Sequence, residues 1–376
     1  MGPGPSEVPD SVLQALAKPT LGHLDPYFLT VMSELQRMLQ QVWQTRGLTF
    51  PLSATGTSGM EACLSNLLEP GDRALIGVNG VFGERMVEMA QRAGAEVTRV
   101  DGAWGRPLDP AAFRLAAKGR RHKVLAMVHA ETSTGVHNPL APMRGIANEF
   151  GALLVADCVT SLGGMPVQFD DHGLDAAYSA SQKCLGVPSG TAPIALSDRA
   201  HAAINARKAP PNSWYLDLNL LASYWGEPHR YHHTAPSNLM LALHEGLRLA
   251  LTEGLTDRYA RFHLHARALW AGLKAMGLTL PVKPNDRLNQ LTLVAVPDGI
   301  DEASVRRALL TEHGIEIGGG LGVFAGKAWR IGLMGAAAQR GQVTALLAAL
   351  HSALRAHGFT PTADGIAAAD AVWESS

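Results

Sequence analysis

Short apolar runs alternate with segments of helical periodicity between residues 50 and 200. Residues 60–68 carry apolar side chains at the i, i+3, i+4, i+7, i+8 spacing of an amphipathic helix, and residues 82–93 form a second helical stripe. The apolar runs predict strands at residues 73–78, 97–100, 124–128, 152–156, 176–179 and 192–196. Because these runs are continuously apolar, they are typical of strands covered on both faces, as in a parallel sheet.

The pattern changes after Gly254. A helix is predicted at residues 258–275, strands at 291–296 and 328–333, and a final helix at 343–354. The sequence therefore predicts an α/β protein of two domains. A large domain with a doubly wound sheet would span residues 1–253, and a small α+β domain would span residues 254–376.

Composition excludes several classes of protein. The chain is 47% hydrophobic and 17% charged, and its net charge of −1 gives no basic excess for nucleic acid or an anionic membrane. No apolar run approaches the roughly 18 residues of a membrane span, and no secretory signal opens the chain. The three cysteines lie far apart, which argues against disulfides and zinc–thiolate sites. A soluble, reduced, cytoplasmic protein is expected.

No metal site is expected either. His229, His232 and His233 form the one histidine cluster that suggests a metal. Adjacent side chains on an extended segment point in opposite directions, so His232 and His233 are expected to diverge.

Candidate chemistry lies where the predicted strands end, because ligands of open α/β sheets bind at the carboxyl ends of strands. Residues 54–59 form a glycine-containing turn before a helix, which suits a phosphate but also an ordinary helix cap. Asp157 ends an apolar strand and could face a protonated ring nitrogen, or simply cap a helix.

Two cations complete the set of candidates. Lys183 follows the next strand, where it could form a Schiff base or be an ordinary loop lysine. Arg330 lies on a predicted strand of the small domain, where its planar guanidinium suits a substrate carboxylate or a structural ion pair. A glycine turn, an Asp, a Lys and an Arg in this order supply what pyridoxal phosphate chemistry needs.

The same segments resemble the class V aminotransferases, and within them the alanine–glyoxylate and serine–pyruvate aminotransferase family. The resemblance covers nearly the whole chain. The matching motifs are Gly2-Pro3-Gly4-Pro5-Ser6, Gln44-Thr45-Arg46, Leu68-Glu69-Pro70-Gly71-Asp72, Asn79-Gly80, Glu131-Thr132-Ser133-Thr134-Gly135-Val136, Asp157, Ser161-Leu162-Gly163-Gly164, Ser181-Gln182-Lys183, Tyr231-His232-His233-Thr234, Gly319-Gly320-Leu321-Gly322 and Arg330-Ile331-Gly332-Leu333. It implies fold type I, with a mostly parallel seven-stranded sheet in the large domain.

The resemblance also implies how pyridoxal 5'-phosphate is held. Lys183 would bind it as a Schiff base, and Asp157 would face its pyridine nitrogen. The remaining contacts implied are Phe82 stacked on the ring, Val159 on the other ring face, Thr132 at the phenolic oxygen, Gly56, Thr57 and Gln182 at the phosphate, and Thr55 as a further cofactor contact.

For substrate and assembly, the resemblance implies that Arg330 binds the substrate carboxylate. Tyr231 and Thr234 would reach the phosphate in the neighbouring subunit, so a homodimer is expected. The implied reaction moves an amino group from L-alanine or L-serine to glyoxylate in two stages. Related enzymes that use serine, ureidoglycine or pyridoxamine as the donor remain open, because one sequence does not rank the donors.

Two departures from the family pattern bear on these expectations. Thr55-Gly56-Thr57 replaces the Ser-Gly-His of animal members, so the hydrogen bonds at the phosphate are expected to differ. The chain also begins at the Gly-Pro-Gly-Pro block without the longer arm of those members. Dimer stability is therefore expected to rest more on the large domain.

Two other functions within this fold fit less well. A cysteine desulfurase needs its thiol on a mobile loop, whereas Cys184 is adjacent to Lys183. A cofactor-binding sensor without turnover predicts loss of Lys183 or Arg330, and both are present.

Overall fold

The computed structural model describes residues 1–375, and Ser376 of the predicted small domain lies outside the described residues. Its strands are β1 (Leu48–Leu52), β2 (Arg73–Val78), β3 (Glu96–Asp101), β4 (Val124–Val128), β5 (Ala130–Glu131), β6 (Val136–His137), β7 (Leu153–Asp157), β8 (Ala176–Tyr178), β9 (Ala192–Leu196), β10 (Leu291–Ala295), β11 (Gly318–Gly319) and β12 (Ala328–Gly332).

The helices alternate with these strands through most of the chain. They are α1 (Asp10–Leu16), α2 (Pro26–Trp43), α3 (Gly56–Leu67), α4 (Val81–Arg92), α5 (Pro110–Ala117), α6 (Met143–Glu149), α7 (Asp198–Asn205), α8 (Leu218–Trp225), α9 (Ser237–Glu253), α10 (Leu255–Ala275), α11 (Glu302–His313), α12 (Arg340–Ala356) and α13 (Gly365–Glu374).

Seven strands within the described residues form one sheet in the order β1-β9-β8-β7-β4-β2-β3. The pairs from β8 to β3 are parallel, whereas β9 runs antiparallel to both β8 and β1. Strands β4, β7, β8 and β9 are buried along their whole length, as their continuous apolar sequences predicted. The expected mostly parallel seven-stranded sheet is confirmed.

A second, antiparallel sheet of the described residues has the order β10-β12-β11. Apolar side chains from α10, α11 and α12 pack with this sheet in a core separate from the one around the large sheet. Gly254, with φ +83°, lies between α9 and α10 and turns the chain from one core to the other.

The N-terminal segment contacts both the small sheet and the loop that carries Lys183. The carbonyl of Met1 accepts a hydrogen bond from the Gly332 N–H at 2.8 Å, at the end of β12. Ser6 donates from its N–H to the Gln182 carbonyl at 2.8 Å and from its hydroxyl to the Lys183 carbonyl at 2.7 Å. These contacts bring the Gly-Pro-Gly-Pro block against the loop that carries Lys183.

The predicted final helix at residues 343–354 is not the last one. It lies within α12, and α13 follows it and packs against α10. Residues 365–374 are rich in alanine with few large apolar side chains, so their helical pattern is weak. Contact with α10 stabilises this helix; Trp373 Nε1, for example, donates to His265 Nδ1 at 3.1 Å.

Among residues 1–375, none of the helices combines the length and the apolar character that a membrane crossing requires.

Candidate active site

Most of the predicted site residues meet at the carboxyl edge of the large sheet. Nine of them line one cavity of about 260 Å³. These nine are Thr55, Gly56, Thr57, Phe82, Thr132, Asp157, Val159, Gln182 and Lys183, and the lining also includes Met60, Arg85, Val128, Ala130 and Thr160. The strands place them there because β7, β8, β4 and β2 are parallel neighbours that end at the same edge.

Asp157 is the last residue of β7 and is buried. Its Oδ1 accepts a hydrogen bond from the Val159 N–H at 2.9 Å, and its Oδ2 accepts one from the Tyr178 hydroxyl at 3.0 Å. Burial raises the pKa of Asp157 to about 6, although these hydrogen bonds and the charges of Lys183 and Arg85 act in the opposite direction. A cationic ligand would therefore favour the ionised form of this carboxyl.

Lys183 directs its amine into a largely desolvated position. Its Nζ donates to the carbonyl oxygen of Pro3 in the N-terminal segment. Burial lowers the pKa of Lys183 to about 8, and the charge of Arg330 lowers it further, while Cys184 and Asp157 oppose the shift. A larger fraction of this amine is neutral near pH 8 than of an exposed lysine, and the neutral amine is the nucleophilic form.

The first turn of α3 approaches the loop after β7 closely. A Cβ added at Gly56 would lie 2.9 Å from Val159 Cγ2 and 3.0 Å from Ala180 Cβ, so the backbone needs glycine there. Thr55 is the N-cap residue of α3, and its side chain makes no capping hydrogen bond. The N-terminus of α3 therefore presents backbone N–H groups at the cavity, an arrangement that favours an anion.

Gln182 also has unused hydrogen-bonding capacity at this cavity. Its Oε1 is buried and has no partner among residues 1–375. A buried amide without partners is costly, so this side chain suits a bound polar molecule.

Phe82 occupies the first turn of α4, and a buried carboxylate fixes the start of that helix. Glu131 accepts hydrogen bonds from the Ser133 hydroxyl at 2.6 Å and from the Gly83 N–H at 3.3 Å. The Ser133 hydroxyl oxygen accepts in turn from the Val81 N–H at 2.9 Å. Burial raises the pKa of Glu131 to about 7. Glu131 thus positions Phe82 rather than lining the cavity itself.

Arg330 lies on β12 beside this cavity but not in its lining. Its Nε donates to the Gly319 carbonyl at 2.7 Å, and its Nη1 donates to the Thr132 carbonyl at 3.4 Å. Within the described part of the chain, no carboxylate forms an ion pair with it. Its charge nevertheless acts on Lys183. A partly buried guanidinium with carbonyl partners alone retains the capacity to bind an anion.

Tyr231 and Thr234 do not join the cavity of their own chain. Tyr231 is 59% exposed, its ring lies 4.9 Å from that of His23, and its hydroxyl lies 3.5 Å from Thr234 Oγ1. The expectation that the neighbouring rings of His232 and His233 diverge is wrong, because their Nδ1 atoms are 2.8 Å apart. These residues belong to an irregular loop rather than an extended strand, so the alternation rule does not apply.

Sequence reasoning missed three contributors to this site. Tyr178 supports Asp157, Glu131 supports the start of α4, and Arg85 lines the cavity. Glu131 is the first residue of the motif Glu131-Thr132-Ser133-Thr134-Gly135-Val136, so its position next to Thr132 is a sequence signal for a place near the site. Tyr178 and Arg85 sit in an apolar strand and a helix that look ordinary in sequence.

Comparisons with known proteins agree with this geometry. Residues 4–343 match the family described as aminotransferase class-V. The chain is 40% identical to the (S)-ureidoglycine–glyoxylate transaminase of Bacillus subtilis, covering 95% of this chain and 90% of that one. It is 39% identical to the alanine–glyoxylate aminotransferase of Callithrix jacchus, covering 94% and 87%. The solved alanine–glyoxylate aminotransferase of Nostoc sp. superposes with a TM-score of 0.93 at 48% identity, covering 94% of both chains.

The fold and the site define a transaminase of fold type I that uses pyridoxal phosphate. The chain belongs to the class V aminotransferases.

The residues at the cavity fit this cofactor chemically. Pyridoxal phosphate carries an aldehyde, a protonatable ring nitrogen and a phosphate. The cavity offers the Lys183 amine for the aldehyde, the Asp157 carboxyl for the ring nitrogen, and the N-terminus of α3 for the phosphate. The buried Gln182 oxygen, which has no hydrogen-bond partner among residues 1–375, also lines this cavity and suits a bound polar group.

Proposed function

We propose that this chain transfers the amino group of L-alanine to glyoxylate, with L-serine as a second donor. The observation that carries the proposal is that two cationic side chains act at one site. Lys183 supplies a reactive amine, and the Arg330 guanidinium, whose charge acts on that amine, has no acidic partner among the described residues. An α-amino acid and a 2-oxo acid share a carboxylate next to the reacting carbon. One arginine therefore serves both substrates. The similarity to the Nostoc alanine–glyoxylate aminotransferase supports the choice of substrates.

The residues divide the chemistry among them. Pyridoxal phosphate supplies the electron sink for charge that develops at the substrate Cα. Lys183 would hold the cofactor, and its freed Nζ would take the proton from the substrate Cα as general base and give it to the former aldehyde carbon of the cofactor as general acid. Asp157 stabilises the protonated ring nitrogen. Arg330 binds the substrate carboxylate and so fixes the direction of the Cα–H bond.

The remaining assignments follow the cavity lining. We assign Phe82 and Val159 to the faces of the cofactor ring, and Thr132 to its phenolic oxygen. We assign Thr55, Gly56, Thr57 and Gln182 to the phosphate end.

The same proposal places the large cofactor-binding domain at residues 1–253 and the small domain at 254–376, and it keeps a cytoplasmic location. The three cysteines are buried and unpaired, which supports a reducing compartment.

The half-reactions test the substrates. L-alanine should bleach the absorbance band of the cofactor-loaded protein, and glyoxylate should restore it. Lys183→Ala should fold normally, as judged by circular dichroism, and lose turnover. Borohydride reduction followed by peptide mass spectrometry should place the cofactor mass on Lys183. Bleaching by a different amine alone would overturn alanine as the donor, and a label elsewhere would overturn the role of Lys183.

An alternative donor, (S)-ureidoglycine, has a specific observation in its favour. The 40% identity to the Bacillus subtilis enzyme covers nearly both chains. Comparing kcat/KM for alanine, serine, ureidoglycine and pyridoxamine with glyoxylate or pyruvate as acceptor ranks the donors directly. A tenfold or greater preference for ureidoglycine, about 1.4 kcal/mol in the transition state, would replace alanine in this proposal.

We further propose a homodimer in which Tyr231 and Thr234 reach the neighbouring subunit's cavity. The exposed rings of Trp214, Tyr215 and Tyr231 support it, at 60%, 41% and 59% exposure. The Tyr215 hydroxyl donates to the Ser53 carbonyl at 3.1 Å, which puts this aromatic surface next to the turn before α3. Large exposed aromatic groups near a site are typical of a covered interface.

Two experiments test the dimer. Trp214→Arg should shift the mass in solution from dimer to monomer, whereas the control Leu115→Arg, at a side chain that is 80% exposed, should not. Mixing inactive Lys183→Ala with a Tyr231→Ala variant of low activity should restore activity, because one site of the mixed dimer has both residues intact. A monomeric wild-type chain, or no gain on mixing, would refute the shared site.

A further inference from the structure

Arg85 lines the cavity from α4 and has no role in the assignments above. Its Nη1 donates to Thr57 Oγ1 at 3.2 Å, and its Cζ lies 5.1 Å from the centroid of the Phe82 ring. One side chain therefore contacts both the first turn of α3 and the aromatic ring of the cavity. Stacking on the ring and the hydrogen bond to Thr57 together fix the plane of the guanidinium.

The charges around the cavity single out this side chain. Among the described residues that line it, the cations are Arg85 and Lys183. The Lys183 amine is required for the aldehyde of the cofactor, so it does not serve the phosphate. No carboxylate in residues 1–375 forms an ion pair with Arg85. The positive charge of Arg85 acts within the cavity, since it lowers the pKa of Asp157 and so favours the ionised carboxylate.

We propose that Arg85 is a cofactor-binding residue that neutralises the phosphate of pyridoxal phosphate, and that Thr57 holds its guanidinium in place. The inference rests on the proposed function, which puts the phosphate at the turn Thr55-Gly56-Thr57. A phosphate monoester carries nearly two negative charges at pH 8, and a helix N-terminus offsets about half a charge. A threonine side chain at position 57 adds a hydroxyl but no charge. Arg85 supplies the charge, and its planar N–H groups suit two phosphate oxygens.

The test compares two probes, pyridoxal 5'-phosphate and pyridoxal, which differ only in the phosphate. Binding to the cofactor-stripped protein is followed by tryptophan fluorescence and by the absorbance of the bound aldehyde. Arg85→Gln should raise the Kd of pyridoxal phosphate about tenfold to a hundredfold, as expected for a hydrogen bond to a charged group. The Kd of pyridoxal should stay within about twofold. Arg85→Lys should lie between the wild type and Arg85→Gln, because it keeps the charge and loses the planar geometry.

Salt and inorganic phosphate give a second measurement. Raising the ionic strength should weaken binding of pyridoxal phosphate to the wild type more than to Arg85→Gln, since part of the electrostatic contribution is already missing in the variant. Inorganic phosphate should compete with pyridoxal phosphate less effectively in Arg85→Gln than in the wild type.

Arg92→Gln is the matched control. It lies on the same helix with a side chain that is 77% exposed and pairs with Glu88. It should leave both dissociation constants unchanged. Thermal unfolding of each stripped variant checks that the fold is intact.

Three results would overturn the inference. If Arg85→Gln weakens the binding of both probes equally, Arg85 acts only through Phe82 or the fold. If Arg85→Gln leaves the binding of pyridoxal phosphate unchanged, Arg85 contributes nothing to that binding. A wild-type chain that binds neither probe would overturn the proposed function itself. A wild type that binds both, with an unaffected Arg85→Gln, would overturn the role of Arg85 alone.

Discussion

Replacing Asp157 by asparagine should change stability in opposite directions without and with the cofactor. In the cofactor-free protein the carboxyl is buried, with Val159 and Tyr178 as its hydrogen-bond donors. Asparagine has nearly the same shape, can accept from the Val159 N–H, and can donate to the Tyr178 hydroxyl oxygen. The substitution therefore removes a desolvated charge, keeps the hydrogen bond from Val159 and reverses the direction of the one with Tyr178.

The magnitude follows from the pKa of Asp157. A rise from 3.8 to about 6 means that the folded chain holds the proton more tightly than the unfolded chain does. Stability then falls as pH rises from about 4 to about 6 and levels off above that range, because the unfolded state releases its proton first. A tenfold change in ionisation is worth about 1.4 kcal/mol, so the wild type should lose up to about 3 kcal/mol by pH 8.

Urea unfolding of the cofactor-free proteins at pH 4 and pH 8 measures this effect. Asp157→Asn should gain stability over the wild type at pH 8, and the gain should shrink towards pH 4. In the cofactor-loaded proteins the order should reverse, because the variant has lost the negative partner of the ring nitrogen. The control is Asp171→Asn, at an exposed loop position, which should show neither effect.

Two outcomes would refute this reasoning. A cofactor-free Asp157→Asn protein that is less stable than the wild type at pH 8 would show that the carboxylate has a cationic partner within the chain. A stability difference that does not change between pH 4 and pH 8 would show that Asp157 does not titrate in this range.

Two other substitutions separate substrate binding from cofactor binding. Arg330→Gln should raise the KM for L-alanine and for glyoxylate by about tenfold or more and leave the Kd for pyridoxal phosphate unchanged, because the guanidinium lies outside the cavity lining and is assigned to the substrate carboxylate. Parallel steady-state kinetics and cofactor titration measure both, and loss of cofactor binding would contradict the assignment. Gly56→Ala should weaken cofactor binding and lower the melting temperature, since its Cβ would lie 2.9 Å from Val159 Cγ2, whereas Gly341→Ala in the first turn of α12, with open space around it, should be neutral or stabilising by up to about 1 kcal/mol. Equal melting temperatures for the two alanine variants would contradict the close approach at Gly56.

The large sheet was accessible from sequence because a buried parallel strand is an uninterrupted apolar run. Residues 73–78 and 192–196 were predicted with the bounds that the structure shows. Asp157 and Lys183 were accessible for the same reason, since a charged residue at the end of such a run or a few residues beyond it lies near the carboxyl edge of the sheet. Helix α2 was not predicted, although it carries a clear apolar face.

The parts of the site that sequence did not show depend on contacts between distant segments. The Lys183 amine meets the Pro3 carbonyl 180 residues away, and Arg85 meets Thr57 across two helices. Neither contact follows from local periodicity, because each depends on how helices and the N-terminal segment pack over the finished sheet. His232 and His233 show a different kind of failure. The rule that adjacent side chains point in opposite directions holds for strands, but these residues lie in a loop, where their rings come together.

Burial shifts the pKa of each buried ionisable group of the site in the direction that favours its neutral form. Burial lowers the pKa of Lys183 to about 8 and raises those of Asp157 and Glu131 to about 6 and 7. Each shift moves the group towards its neutral form, as expected where charges are desolvated without close partners of opposite sign. The cavity thus holds its reactive groups at a cost to the stability of the cofactor-free chain. A ligand that supplies a cation beside Asp157 and reacts with the Lys183 amine relieves that cost, and binding to the folded state alone then stabilises it further. The same groups that make this cavity reactive therefore make the stability of the fold depend on its cofactor.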